Sequence, residues 1–399
     1  MFRLPTVLNL VAFFVATAGG PVLGEDATVV TSTPIELTAV PLDGGWTTWE
    51  GLGDPEWNRI TAMAVLDDEV WVAAYGRILF RDSNVWKQMS LKNSYITGIA
   101  RSDGGVIWLS TADGIRRLKP VEDGWELKEF RTYYEGHPAF VSGIYIPGEN
   151  STRIWGYVDG IFSPKDDAYA PYVISNEHGL YSSINGVNGG WHQFLPHYWG
   201  ANSPWLDLAE LIPHRRPTCM AEDADGHLWI GTEWDGLVRF NAHARKYHER
   251  PAENNAKDST EVTTFGSREI GTDFRRVTGI VPSAEGGVWV VLTTYGGESA
   301  VARFKQGNWD VWPVPEKLGP ATAIAEAGDG YIYVAGNRSL LKVHWKLKDI
   351  VGRNEEMESI RHLIRLPNGT NYAASPWALY EKPAESPARP EAEPETNSE

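Results

Sequence analysis

The sequence predicts an all-β protein, a seven-bladed β-propeller of four-stranded antiparallel blades. An N-terminal strand is expected to complete the last blade and close the ring. Three observations predict it. Aromatic and turn residues are abundant together, with 18 Trp, 16 Tyr, 12 Phe and 40 Gly in 399 residues, and no long stretch follows a helical period. A unit of short apolar strands and tight turns recurs along the chain. The last unit lacks its outer strand, and an unattached strand lies near the opposite terminus.

Taken in order, residues 1–24 read as a secretion signal, with Arg3, an apolar run over residues 8–18 and small residues up to Gly24. The apolar run is short for a membrane span, and an uncleaved anchor is the alternative. Residues 25–45 are rich in Thr, Val and Pro without a period, which predicts an extended leader. Trp46 to Trp49 form the unattached strand.

The first unit places strands at residues 60–65, 70–73, 78–80 and 85–89, with turns at Asp67-Asp68 and Tyr75-Gly76. The second repeats the plan from Ile96 to Phe130. The third, from Val141 to Phe194, is over-long. Its second strand is expected at Val173-Ile174-Ser175, with an inserted hairpin near residues 150–170. The competing reading puts that strand at Trp155, and two small blades in place of one is a further alternative.

The fourth unit, Cys219 to Phe240, is the most regular, with tight turns at Asp225-Gly226 and Asp235-Gly236. The fifth spans residues 277–312 and the sixth residues 321–350. The seventh runs from Ile360 to Tyr380 and stops one strand short. Residues 46–383 are therefore assigned to the propeller, because joining the two ends removes the last exposed sheet edge. The remaining residues, 384–399, alternate Pro, Glu, Ala and Ser and predict a disordered acidic tail.

Net charge is −16, which disfavours nucleic acid and anionic lipid as partners. The single cysteine, Cys219, excludes an intramolecular disulfide and falls on an inward-reading strand, where a buried thiol is expected. No nucleophile elbow, zinc-protease motif or phosphate loop occurs, so no catalytic residue, metal or cofactor is assigned. Asp223-x-Asp225-Gly226 lacks the other ligands of a calcium loop and reads as a hairpin turn. His243 and His248 read as surface residues of a strand. Trp71, Trp108, Trp229, Trp289, Tyr333 and Tyr372 recur at one place in each unit, which predicts packing between blades.

Aromatics in loops are more informative about function. The loops joining second to third strands and the connectors into each first strand share one face of such a ring. They carry Tyr75, Trp234, Tyr295 and Trp377, then Trp57, Tyr133, His197 and Trp199, with Arg215 and Arg276 among them. Rings beside charged groups around a funnel suit a sugar or another ligand of mixed polarity.

The block from Ala221 to Phe240, with Asp225-Gly226-His227-Leu228-Trp229-Ile230-Gly231-Thr232 at its centre, resembles the two-component-regulator propeller repeat, and residues 107–114 and 288–297 are weaker copies. The resemblance implies an extracytoplasmic, sensor-like domain, some members being similar to glycan-responsive sensors. No later membrane span, kinase or DNA-binding segment follows in this sequence. The fold is also similar to that of streptogramin lyases, although no catalytic motif of theirs transfers.

The expected function is thus an exported, secreted or periplasmic, non-catalytic monomer. It would bind a small molecule, a glycan or a protein partner on its aromatic-rich face. The alternatives are a lyase or hydrolase using His137, His197 or His214 as base, and a scaffold whose rims bind partners.

Overall fold

The computed structural model describes residues 28–52, 59–91, 95–131, 217–241 and 262–384, apart from positions 103–104, 113, 234–235, 275, 295 and 329; between residues 132 and 216 it describes only the backbone of short strands. Each unit outside that middle region is an antiparallel sheet whose strands pair in chain order. The first contains Ile60–Leu66, Glu69–Ala74, Arg77–Asp82 and Val85–Ser90, and the fifth contains Arg276–Pro282, Val288–Thr293, Ser299–Lys305 and Asn308–Pro313. The sheets are propeller-like. Helix is almost absent among the described residues, the α-helix Ser267–Ile270 being a single turn.

Tight turns produce this meander. In the fourth sheet Gly226 donates its backbone N–H to Asp223 O at 3.0 Å, and Gly226 takes φ 78°, a conformation that a Cβ disfavours. Gly236 is more constrained. At φ 79° a Cβ there would lie 2.2 Å from Phe265 O, so the turn admits the neighbouring strand only because the residue is glycine.

The N-terminal leader is extended but not free. Its strands β1 (Thr28–Val30) and β2 (Ser32–Pro34) pair with the outer edges of the second and first sheets, at Gly124–Arg131 and Val85–Ser90. Strand β3 (Thr38–Pro41) pairs with β4 (Thr47–Glu50). Strand β4 pairs in turn with Leu379–Lys382, setting Trp49 opposite Leu379 and Thr47 opposite Glu381. The two ends of the described chain therefore share one five-stranded sheet.

Apolar clusters lie between successive sheets. One joins the fourth and fifth around Trp229, Phe265, Val277 and Val290, and another joins the last sheet to the first through Tyr372, Leu379, Ile60, Val72 and Trp86. All six recurrent aromatics are buried. The fully covered Trp229 alone is worth about 3–5 kcal/mol against alanine. Opposite Trp229 and Trp289 on their third strands stand Arg239 and Arg303, whose guanidinium carbons lie 5.7 and 5.0 Å from the ring centres.

The first strands of the units lie side by side in sequence, and the first strand of the last sheet neighbours that of the first. A bulge recurs near the start of these strands in the first, second, fourth, fifth and sixth sheets, and each places a threonine at the irregularity: Thr61, Thr97, Thr218, Thr278 and Thr322. The hydroxyls of Thr218, Thr278 and Thr322 stitch neighbouring sheets together. Thr218 Oγ1 donates to Val277 O at 2.6 Å, Thr278 Oγ1 donates to Ala321 O at 3.2 Å, and Thr322 Oγ1 donates to Ile360 O.

Two strand assignments change. In the third unit Gly143–Tyr145 pairs with Arg153–Tyr157, setting Tyr145 opposite Trp155. The second strand is therefore the one at Trp155, and Val173–Ser175 pairs instead with Gly179–Ser183. In the fourth unit the outer strand is Val262–Phe265, inside what reads in sequence as connector. Its pairing with Leu237–Asn241 spans a long intervening segment, which local patterning does not reveal. His243 and His248 lie outside the described residues.

Candidate functional site

The junction of the last and first sheets brings together the most informative exposed side chains. Ile60 N donates to Pro376 O at 2.8 Å, and Arg361 N donates to Ala374 O at 2.7 Å. Register then sets Ile60 opposite Ala74, the residue before Tyr75. These bonds place Arg59, Tyr75, Arg361 and Trp377 at the same end of two adjoining sheets. Tyr75 is 40% and Trp377 53% exposed, large values for rings in a chain whose recurrent aromatics are buried. Arg59 and Arg361 are exposed too.

The supporting shell is rigid. Ser375 Oγ accepts from Trp377 N at 3.2 Å and from Ala378 N at 3.0 Å, fixing the turn that presents Trp377. Below Tyr75, Arg77 donates to Gln88 Oε1 at 3.1 Å and to the Leu52 carbonyl. Under the junction His362 hydrogen-bonds the Thr61 backbone, and burial, reinforced by the Arg361 charge, lowers its pKa to about 4.

That shift makes a stability prediction. Folded His362 stays neutral where an unfolded chain with its ordinary value of 6.5 takes a proton. Its contribution is therefore fully present above pH 6.5 and falls away as pH drops toward 4. Thermal midpoints measured across this window should decline more steeply for the natural chain than for His362→Gln. Superimposable profiles would refute the assignment.

Beneath the exposed groups lies a polar clasp. Glu381 accepts from Arg81 Nη1 at 2.8 and 2.9 Å and from Trp49 Nε1 at 2.9 Å, and Arg81 also donates to Tyr372 Oη at 3.1 Å. Burial first, and then the Glu381 charge, raises the Tyr372 phenol well above its usual range. The clasp joins β4, the C-terminal strand and the first sheet, so it holds the junction in register.

Of the residues proposed from sequence, Tyr75 and Trp377 meet at this junction. Arg276 is exposed at the corresponding end of the fifth sheet, where it pairs with Thr293, and is not part of the junction. Trp57, Trp234, Tyr295, His197, Trp199 and Arg215 lie outside the described residues, as do His214 and the side chains of Tyr133 and His137. Arg59 and Arg361 were missed. One cue was available for Arg59, because Arg59-Ile60-Thr61 matches Arg276-Val277-Thr278 in the repeat.

Asp223, Asp225 and His227 approach within 4.8 Å of one another. Asp223 is already committed, however. Its Oδ1 accepts from Asp225 N and His227 N, each at 3.0 Å, and lies 3.2 Å from His227 Nδ1, while Oδ2 accepts from Trp229 Nε1 at 2.7 Å. This carboxylate anchors the hairpin and satisfies the buried indole. Burial pushes the Cys219 thiol up to about 12, which leaves it unreactive at neutral pH.

Comparison with known proteins now places the fold. No curated protein matches the sequence significantly. Virginiamycin B lyase from Staphylococcus aureus is similar at TM-score 0.54 and 15% identity, over 87% of this chain and 98% of that one. The extracellular domain of the hybrid two-component system BT3049 from B. thetaiotaomicron is similar at TM-score 0.57 and 17% identity, over 85% of this chain and 41% of that one. YCF48 bound to D1 peptide is similar at TM-score 0.55 and 11% identity, over 88% of this chain and all of that one, 100%. These likenesses establish a propeller-like all-β fold. No helix among the described residues is long and apolar enough to cross a membrane. A family model adds a local match: residues 211–234 match the model of the two component regulator propeller.

Proposed function

We propose that the chain is an exported, non-catalytic, seven-bladed β-propeller, closed by β4, that binds a saccharide on the face bearing the last-to-first junction. The pairing of β4 with Leu379–Lys382 and the apolar cluster joining the last and first sheets support closure. Secretion or a periplasmic location is supported by residues 1–24 and by the similarity to an extracellular sensor domain. The observation that carries the binding reading is the pair of exposed rings, Tyr75 and Trp377, held by fixed turns beside two exposed arginines. Flat aromatic faces stack on the C–H faces of pyranose rings, and arginine supplies directional donors beside them.

A protein partner is the second reading, supported by the similarity to a propeller bound to a peptide. The lyase alternative rests on His137, His197 and His214, whose side chains lie outside the described residues. His362, the histidine at the junction, donates to the Thr61 carbonyl, and with a pKa of about 4 it is a weak proton acceptor at neutral pH.

Calorimetric titration with a panel of oligosaccharides and envelope-derived peptides tests the proposal. Trp377→Ala and Tyr75→Ala should each weaken saccharide binding by about tenfold, the loss expected for one stacking contact of roughly 1.4 kcal/mol. Unchanged affinity in both variants would discard this face.

A further inference from the structure

The junction also specifies a charge on its ligand. Arg59 immediately precedes Ile60, whose N–H is bonded to Pro376 O, and Arg361 immediately precedes His362, which bonds the Thr61 backbone. Two guanidinium-bearing residues therefore stand at the same end of adjoining first strands. Neither forms an ion pair or a hydrogen bond through its side chain among the described residues, whereas Arg81, Arg116, Arg117, Arg303 and Arg353 all hold carboxylates.

Arg268, Arg276 and Arg338 are also exposed and without an ion pair among the described residues; what sets Arg59 and Arg361 apart is that they share one junction with two exposed rings. The connector that leads to Arg361 carries the acidic residues Glu355, Glu356 and Glu358. Glu355 pairs with Arg353. The charges of Glu358 and Glu356 help to raise the Tyr380 phenol on the third strand of the last sheet, and neither forms an ion pair with Arg361 among the described residues.

We infer that the junction takes an acidic saccharide, with Arg59 and Arg361 receiving a sugar carboxylate while Trp377 and Tyr75 cover the apolar faces of the rings. Arginine matches a carboxylate in two-pronged geometry, and a guanidinium already free of an internal partner surrenders no existing bond on binding. This inference rests on the saccharide reading above and adds the class of sugar.

The test titrates the full chain with three probes: a neutral hexasaccharide, an oligouronate of the same length, and a glutamate-rich peptide. The oligouronate should bind at least about tenfold more tightly than the neutral sugar at low salt, a difference that one charge-assisted pair supplies, and its advantage should shrink at high salt. Arg59→Ala and Arg361→Ala should abolish the advantage, so that each variant binds the oligouronate no more tightly than it binds the neutral sugar. Because both positions are exposed, unchanged thermal midpoints would show that the fold is retained. Equal binding of both sugars, or arginine variants that bind the oligouronate normally, would overturn the charge assignment and spare the saccharide reading. Binding of neither sugar would overturn both, and binding of the peptide alone would assign the junction to a protein partner.

Discussion

A chain beginning at Leu52 is expected to lose cooperative unfolding altogether. Its missing residues include β4, which supplies Trp49 to the cluster between the last and first sheets, and Trp46, which is 3% exposed and packs edge-on to Tyr333 at 5.4 Å. Removing two such side chains costs about 6–10 kcal/mol by the usual truncation scale, comparable with the whole stability of a domain. The third strand of the last sheet would also lose its hydrogen-bonded partner and present an open edge. A chain beginning at Leu37 provides the contrast. It retains β3 and β4, loses only β1 and β2, and should still melt in one transition. Circular dichroism and calorimetry would read both chains, and a chain from Leu52 that melts like the full chain would refute closure by β4.

Replacing Glu381 with alanine is the second large effect. The carboxylate accepts from Arg81 and Trp49, so its removal leaves a half-buried guanidinium and an indole N–H short of partners. Breaking one side of a buried pair costs roughly 3–5 kcal/mol; the partial exposure of Arg81 sets the expectation near the lower end, about 3 kcal/mol. In a domain of this size that lowers the melting midpoint by roughly 4 °C. Glu381→Gln, which keeps an acceptor, should lose less. The double variant Arg81→Ala/Glu381→Ala should cost less than the sum of the singles, because no charge is then stranded. Additive losses would mean that the two side chains do not act as a pair.

Much of the architecture was legible because it is written in local patterns. The Asp-Gly turn before Trp229, the recurrent aromatic on each second strand and the strand-like Trp46–Trp49 all depend on a few neighbouring residues. Burial of Trp71, Trp108, Trp229, Trp289, Tyr333 and Tyr372 follows from that periodicity. That the Trp46–Trp49 strand completes the last unit was inferred by completing a pattern, since one unit lacked a strand that the other terminus supplied; the register of Thr47 with Glu381 came from the structure.

The leader and the fourth unit's outer strand were less legible for a shared reason. Strands β1 and β2 join existing edges chiefly through backbone bonds, and most of their residues are exposed or half-buried. No alternation of apolar and polar residues is required of them, so none is written. Val262–Phe265 pairs with residues far earlier in the chain, and only the assembled sheet identifies its partner.

The candidate site divides the same way. Tyr75 and Trp377 could be named from their place in the repeat, since a ring in a tight turn has little core to enter. Arg59 and Arg361 could not, because an exposed arginine is unremarkable until its neighbours are known. Sequence alone determined the strand order within the regular units and the recurrent aromatic packing, both consequences of short-range periodicity. Tertiary structure decided that Tyr75 and Trp377 stand beside two uncommitted guanidinium groups. That juxtaposition arises where residues some 300 positions apart meet across the last and first sheets, a separation comparable to the 291 residues between Arg81 and Tyr372.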